Sequence, residues 1–162
     1  MDPSIQHERQ PDGSFCLTAD LWVPSPVEDV FAFFSDAHNL EALTPALLRF
    51  QVLTPAPIEM AAGTLIDYRL RIRGVPMRWR TEIAEWDPPN GFVDVQLKGP
   101  YTSWHHTHRF ATEDGGTRCR DIVRYRVFGG HLIQRLFVRR DVEAIFSYRQ
   151  AQMRERFGSS AP

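Results

Sequence analysis

Residues 104–110 read WHHTHRF, and the spacing of the histidines decides what chemistry they could do. Side chains alternate faces along a strand, so Trp104, His106, His108 and Phe110 share one face while His105, Thr107 and Arg109 share the other. A neutral imidazole both donates and accepts a hydrogen bond and titrates near neutrality. Two on one face could hold a carbonyl or hydroxyl of an apolar ligand, or pass a proton as acid and base. The same pair could also be ordinary core histidines satisfied by neighbouring strands and water. An HxH pair further supplies two ligands of a zinc or iron site. A third ligand would have to come from Asp94, Glu82 or His38, none at diagnostic spacing, so neither a metal nor any other cofactor is expected.

Two more groups bear on this face. In the strand over residues 92–97, Asp94 and Gln96 fall on one side and Val93, Val95 and Leu97 on the other. Periodicity turns the valines inward and leaves the acid in solvent. The reverse orientation puts Phe92, Asp94 and Gln96 beside the histidines, where Asp94 would orient an imidazole and raise its basicity. Arg149 lies four residues after Ile145, three after Phe146 and four before Met153, on or near the apolar stripe of a long helix. Either its stem covers apolar surface while the charge reaches out to water, or it is buried and must be paired, with Asp94 or a ligand carboxylate. Arg135, Arg139, Arg140, Arg154 and Arg156 read as a solvated face that could also dock an acidic partner or a membrane surface.

The elements that must position these groups follow from periodicity. Residues 1–13 read as a loose tail, and Ser14 to Val23 as a strand stopped by Pro24 and Pro26. Ser25 is placed to cap a helix that starts at Pro26, carries Glu28 and Asp29 in its first turn and buries Val27, Val30, Phe31 and Phe34. Asp36 is placed to cap a second short helix that Pro45 ends. Strict alternation of Ile66, Tyr68, Leu70 and Ile72 against Asp67, Arg69, Arg71 and Arg73 marks a half-buried antiparallel strand, and Met77, Trp79, Thr81 and Ile83 mark the next. Glu113 to Thr117 is a hairpin turn into a last strand over Arg118 to Phe128. After Gly129 and Gly130, Leu132, Ile133, Leu136, Phe137, Val142, Ile145, Phe146, Met153 and Phe157 recur at helical steps. A twisted sheet followed by one long helix buries its apolar face by curling around that helix, an α+β architecture.

Composition restricts the function classes. At 162 residues with 43% hydrophobic and 24% charged residues, the chain suits one globular domain over residues 14–157, with a flexible C-terminus over 158–162. A net charge of -1 gives no basic surface for nucleic acid. Cys16 and Cys119 lack CxxC spacing and read as free thiols, and no apolar leader or run of membrane-spanning length occurs. A cytoplasmic protein is expected, its oligomeric state open. No nucleophile elbow, phosphate loop or dinucleotide fingerprint is present, which argues against hydrolase, kinase and dehydrogenase chemistry.

The order of elements, with Gly99-Pro100-Tyr101 ahead of Trp104 to Phe110, resembles the START-like or Bet v 1-like superfamily. More closely it is similar to the bacterial SRPBCC branch of polyketide cyclase/dehydrase-like ligand-binding proteins. Local support comes from Asn39-Leu40 with Leu43-Thr44-Pro45, from Trp79-Arg80-Thr81-Glu82-Ile83, and from Ile145-Phe146 with Tyr148-Arg149. The resemblance implies a helix-grip fold in which a seven-stranded antiparallel sheet wraps the C-terminal helix and leaves a cavity. Such a cavity would take a hydrophobic small molecule (a lipid, a quinone or a polyketide-like ring) and be lined by Tyr68, Trp79, Gln96, Trp104, His106, His108, Phe110, Tyr125, Phe146 and Arg149. The competing expectations are a cyclase or dehydratase using His106 and His108, oriented by Asp94, and an interaction module with a vestigial cavity.

Overall fold

The computed structural model describes residues 4–158. Eight antiparallel strands form one sheet: β1 (Ile5–Arg9), β2 (Phe15–Val23), β3 (Gln51–Val52), β4 (Leu65–Ile72), β5 (Val75–Asp87), β6 (Gly91–Lys98), β7 (Ser103–Glu113) and β8 (Gly116–Arg126). Their order in space is β1-β2-β8-β7-β6-β5-β4-β3. Between β2 and β3 lie α1 (Val27–Phe34) and two 3₁₀ turns, Ala37–Glu41 and Ala46–Leu48. The chain ends in α2 (Gly130–Ile133), a π-helical segment Gln134–Val138 and α3 (Arg139–Phe157), which run on as one helix. This is the helix-grip arrangement, with eight strands rather than seven.

The additional strand lies where a loose tail was expected. Ile5 and His7 point inward and are buried, and the segment IQHER pairs along its length with β2. His7 fixes it from inside: Nε2 lies 2.8 Å from the Tyr125 hydroxyl and Nδ1 lies 3.0 Å from Glu143 on α3. A buried imidazole held at both nitrogens offsets what this short polar strand lacks in apolar surface. The expected flexible end is described only as far as Gly158, which closes α3 by donating its N–H to the Arg154 carbonyl; residues 159–162 lie outside the described residues.

Other elements form for local reasons. The alternation read in β4 is observed, with Ile66, Tyr68 and Leu70 buried. Arg73 and Gly74, both at positive φ, make the two-residue turn into β5, so Pro76 already belongs to that strand. Asp36 caps the first 3₁₀ turn by accepting the His38 N–H at 3.0 Å. Ser25 does not cap α1. Its hydroxyl donates to the Phe157 carbonyl while its own carbonyl accepts from Thr117, which ties the end of α3 to the sheet. The long helix departs most from its pattern at its start: Leu132, Ile133, Leu136 and Phe137 are exposed, whereas Gln134 is buried and donates to the Tyr125 hydroxyl. The wider π turn shifts which side chains face the sheet.

Two apolar clusters result. One gathers α1 with β4, β5 and the near ends of β6 and β7 around Phe31, Ile66, Ile83, Phe92 and Phe110. The other packs β1, β2 and β8 on α3 through Leu17, Val123, Tyr125, Val142 and Phe146.

Candidate functional site

His106 and His108 face inward from β7, both 4% exposed, with ring centroids 3.7 Å apart. Register supplies their partners. Asp94 on β6 stands opposite His106, and Asp121 on β8 stands opposite His108. The short hydrogen bonds run along the diagonals: His106 Nε2 to Asp121 Oδ1 and His108 Nε2 to Asp94 Oδ2, both 2.7 Å. The ion pairs also cross the other way, His108 Nδ1 to Asp121 at 3.1 Å and His106 Nδ1 to Asp94 at 3.6 Å. Arg149, 6% exposed, reaches in from α3 and places NH1 3.3 Å from Asp121 Oδ1. Five ionisable side chains from four elements thus meet inside the protein.

Their charges follow from the contacts. Burial alone would push the Asp121 carboxyl up, but Arg149 and the two imidazoles outweigh it and hold Asp121 well below the usual carboxylate range. Burial likewise opposes Asp94, and His106 and His108 together keep its carboxyl low. Burial, reinforced by repulsion from His108, drives the His106 imidazole down to about 4. His108 feels the same burial, but the Asp121 and Asp94 carboxylates beside it overcome it and raise its value. Of the two rings His108 holds a proton the more readily, and His106 is neutral at neutral pH. Since an ionised carboxylate only accepts, His106 presents its N–H at Nε2 and its lone pair at Nδ1. With a proton on His108, two carboxylates, one imidazolium and one guanidinium make the cluster neutral.

Aromatic rings seal it. Phe92 stacks on His108 at 4.0 Å, Phe146 meets His106 edge-on at 5.4 Å, and Trp104 stands at 88° to His106. Gly91 lets β7 come close to the turn before β6, because a Cβ there would collide with the His108 carbonyl oxygen.

Asp94, His106, His108 and Arg149 of the cluster line a cavity of about 620 Å³ between the sheet and the long helix. Tyr68, Trp79, Trp104, His106, His108, Phe146 and Arg149 are among the side chains lining it, and Asp94 joins them in the inward orientation. The valine-inward reading of β6 is thereby corrected for this residue, whose charge is accommodated by the histidines. Three expected wall residues stand elsewhere. Gln96 closes the loop before β7, donating to the Tyr101 carbonyl and accepting the Tyr101 N–H. Phe110 packs in the core on Phe31 and Phe34, and Tyr125 is fully buried with its hydroxyl between His7 and Gln134. The outward-reaching alternative for Arg149 is also corrected, because its guanidinium is buried against Asp121 and the Phe146 ring.

Asp121 is the site residue that sequence reading missed. Its signal was an acid in the apolar stripe Cys119, Val123 and Tyr125 of β8. Of the proposed third metal ligands only Asp94 approaches the histidines, and the three offer ligand atoms within 4.8 Å of one another. The imidazole nitrogens already face carboxylates, and the guanidinium on Asp121 is adverse to a further cation.

A curved antiparallel sheet gripping a C-terminal helix is also the fold of known proteins. The sequence signature described as polyketide cyclase / dehydrase and lipid transport matches residues 23–151. The chain belongs to this family. No curated protein matches it. Among solved structures, this family member is similar in fold to protein Ms6760 from Mycobacterium smegmatis, at 17% identity and TM-score 0.69 over 97% of this chain and 99% of that one. The protein TTHA0849 from Thermus thermophilus aligns at 21% identity and TM-score 0.66 over 87% and 98%. Ginseng major latex-like protein 151 from Panax ginseng aligns at 12% identity and TM-score 0.66 over 90% and 98%. At these identities the likeness concerns the fold, and what this cyclase/lipid-transport family member does must be argued from its own cavity.

Proposed function

We propose that the protein binds an uncharged, mainly apolar small molecule of the lipid, quinone or polyketide class, its oxygen against His106 and His108 at the inner end of the cavity. The observation that carries this reading is the cavity itself: about 620 Å³, walled mainly by aromatic and aliphatic side chains, with a few polar groups that include both imidazoles. That volume and that composition are typical of small-molecule sites. With His108 protonated the cluster is neutral, so a ligand carboxylate would enter a pocket whose cations are committed to Asp94 and Asp121. A carbonyl or hydroxyl meets no such cost. Three buried nitrogens of wall residues, Trp79 Nε1, Arg149 Nε and His108 Nδ1, have no hydrogen-bond partner among the described residues, and an acceptor oxygen is what the first two would take. The family description, polyketide cyclase / dehydrase and lipid transport, supports the ligand class.

A second reading is favoured by the unequal histidines. A neutral imidazole with a lone pair at Nδ1, beside an imidazolium, is a base next to an acid. Such a pair would suit an enolisable ketone: His106 would take an α-proton while His108 donates to the carbonyl that the resulting enolate attacks.

Displacement of the neutral fluorophore N-phenyl-1-naphthylamine tests the binding reading. Naphthalene-sized ketones and phenols should displace it with affinities at least ~10-fold tighter than carboxylates of equal size, as expected when an anion must be buried without a free cation. Absence of fluorophore binding would refute the reading, and tighter binding of carboxylates would refute the preference for uncharged ligands. Turnover of an enolisable ketone that is lost in His106→Gln, with fluorophore binding retained, would establish the second reading.

A further inference from the structure

The start of the long helix turns its apolar side chains away from the protein. Phe128 is 72% exposed, Leu132 64%, Leu136 53% and Phe137 44%. Elsewhere the helix buries such residues, so a cluster of this kind beside a cavity marks a contact surface. The patch is continuous with the ligand space, because Phe128 and neighbouring Ile133 are themselves part of the cavity wall. Opposite them the β4–β5 turn comes across the mouth, where Arg73 binds Asp141 at 3.1 Å and lies over the Phe137 ring at 5.2 Å.

Charge then selects the occupant. Residues 128–140 contain three arginines and no acid. Arg139 is held by Glu143 on α3, whereas Arg135 and Arg140 are exposed and make no ion pair among the described residues. Asp141, the next acid along the chain, is already neutralised by Arg73. Apolar side chains interspersed with free arginines on one short stretch fit a surface that is apolar inside and anionic outside. A second copy fits poorly, since a two-fold contact would bring Arg135 and Arg140 against their own counterparts.

We propose that the mouth of the cavity docks onto an anionic lipid bilayer. Phe128, Leu132, Leu136 and Phe137 enter the boundary between headgroups and acyl chains, and Arg135 and Arg140 meet the phosphates. No helix is long and apolar enough to cross a membrane, so the contact is peripheral. With the mouth seated there, an apolar ligand passes between bilayer and cavity without entering water.

Co-sedimentation with vesicles tests this directly. At low ionic strength the protein should pellet with vesicles of phosphatidylcholine containing about a third phosphatidylglycerol, and far less with phosphatidylcholine alone. The double variants Leu132→Ser/Leu136→Ser and Arg135→Gln/Arg140→Gln should each lower the bound fraction at least ~5-fold. These four side chains are exposed and outside the cavity wall, so binding of N-phenyl-1-naphthylamine should be unchanged and reports that both variants are folded. The proposal is overturned if wild-type protein fails to pellet with the anionic vesicles, or if the variants pellet as it does. It is equally overturned if the wild type forms a concentration-dependent dimer that Leu132→Ser/Leu136→Ser abolishes.

Discussion

His106 and Asp121 are joined by a 2.7 Å hydrogen bond across the diagonal of two neighbouring strands, and this bond fixes the tautomer of an imidazole that faces the cavity. Asp121 also receives Arg149, so one carboxylate couples the sheet to the long helix.

Replacing Asp121 by Asn should therefore be costly. It removes the counter-charge of a buried guanidinium and weakens the hold on both imidazoles, a class of change that destabilises by about 3–5 kcal/mol. Chemical denaturation measures it. The double variant Asp121→Asn/Arg149→Gln should lose less than the two single losses added together, because the guanidinium left unpaired by the first change is gone.

The cluster makes stability depend on pH on the acid side. His106 takes up a proton near 6.5 when unfolded but only near 4 when folded, so the folded state binds fewer protons between these values and loses stability as pH falls through that window. The loss is on the order of 3 kcal/mol at most. The depressed values of Asp94 and Asp121 remove further stability below pH 4. His108, raised in the fold, acts oppositely: its contribution is complete below 6.5 and is lost as pH rises through its folded value. Denaturant midpoints measured across pH should show the acid-side fall in the wild type and a flatter profile between 6.5 and 4 in His106→Gln.

Tyr125 offers a contrast between core and site. Its hydroxyl satisfies both His7 and Gln134, so Tyr125→Phe leaves two buried polar groups short of a partner and should cost about 1–3 kcal/mol. Ligand affinity should stay within about two-fold of wild type, since the ring packs in the core. A denaturation curve and a fluorophore titration on the same sample check both halves.

Arg73→Ala removes the link between the β4–β5 turn and the long helix at the mouth. Both partners are largely exposed, so stability should change by less than about 1 kcal/mol. Ligand release should nonetheless quicken several-fold, which stopped-flow displacement would detect.

Much of this was legible from spacing. Strands whose faces differ in polarity, such as β4 with Tyr68 inward and Arg69 outward, declare their orientation. His106 and His108 were placed correctly for the same reason. Asp94 could not be oriented, because its strand is apolar on the opposite face and the reason for turning the acid inward lies on β7, outside the local pattern. Asp121 sits between Arg120 and Ile122, and its membership of the Cys119–Tyr125 stripe stands out only once the inner face is known to be polar at that point. β1 escaped notice because one isoleucine and one buried histidine replace the usual run of apolar residues. The exposed Leu132 and Leu136 read as core because a helical repeat reports periodicity and not which side meets the sheet; the π turn sets that phase.

The central claim is that a small uncharged molecule occupies the cavity and touches the imidazoles. Nitrogen-15 NMR of the histidine side chains, recorded while a naphthalene-sized neutral ketone is titrated in, tests it most directly. Saturable shifts of the His106 and His108 ring nitrogens are expected at one ligand per chain, with His105 and His131 unmoved. Unchanged His106 and His108 signals at saturating ligand, or equal shifts at every histidine, would contradict it.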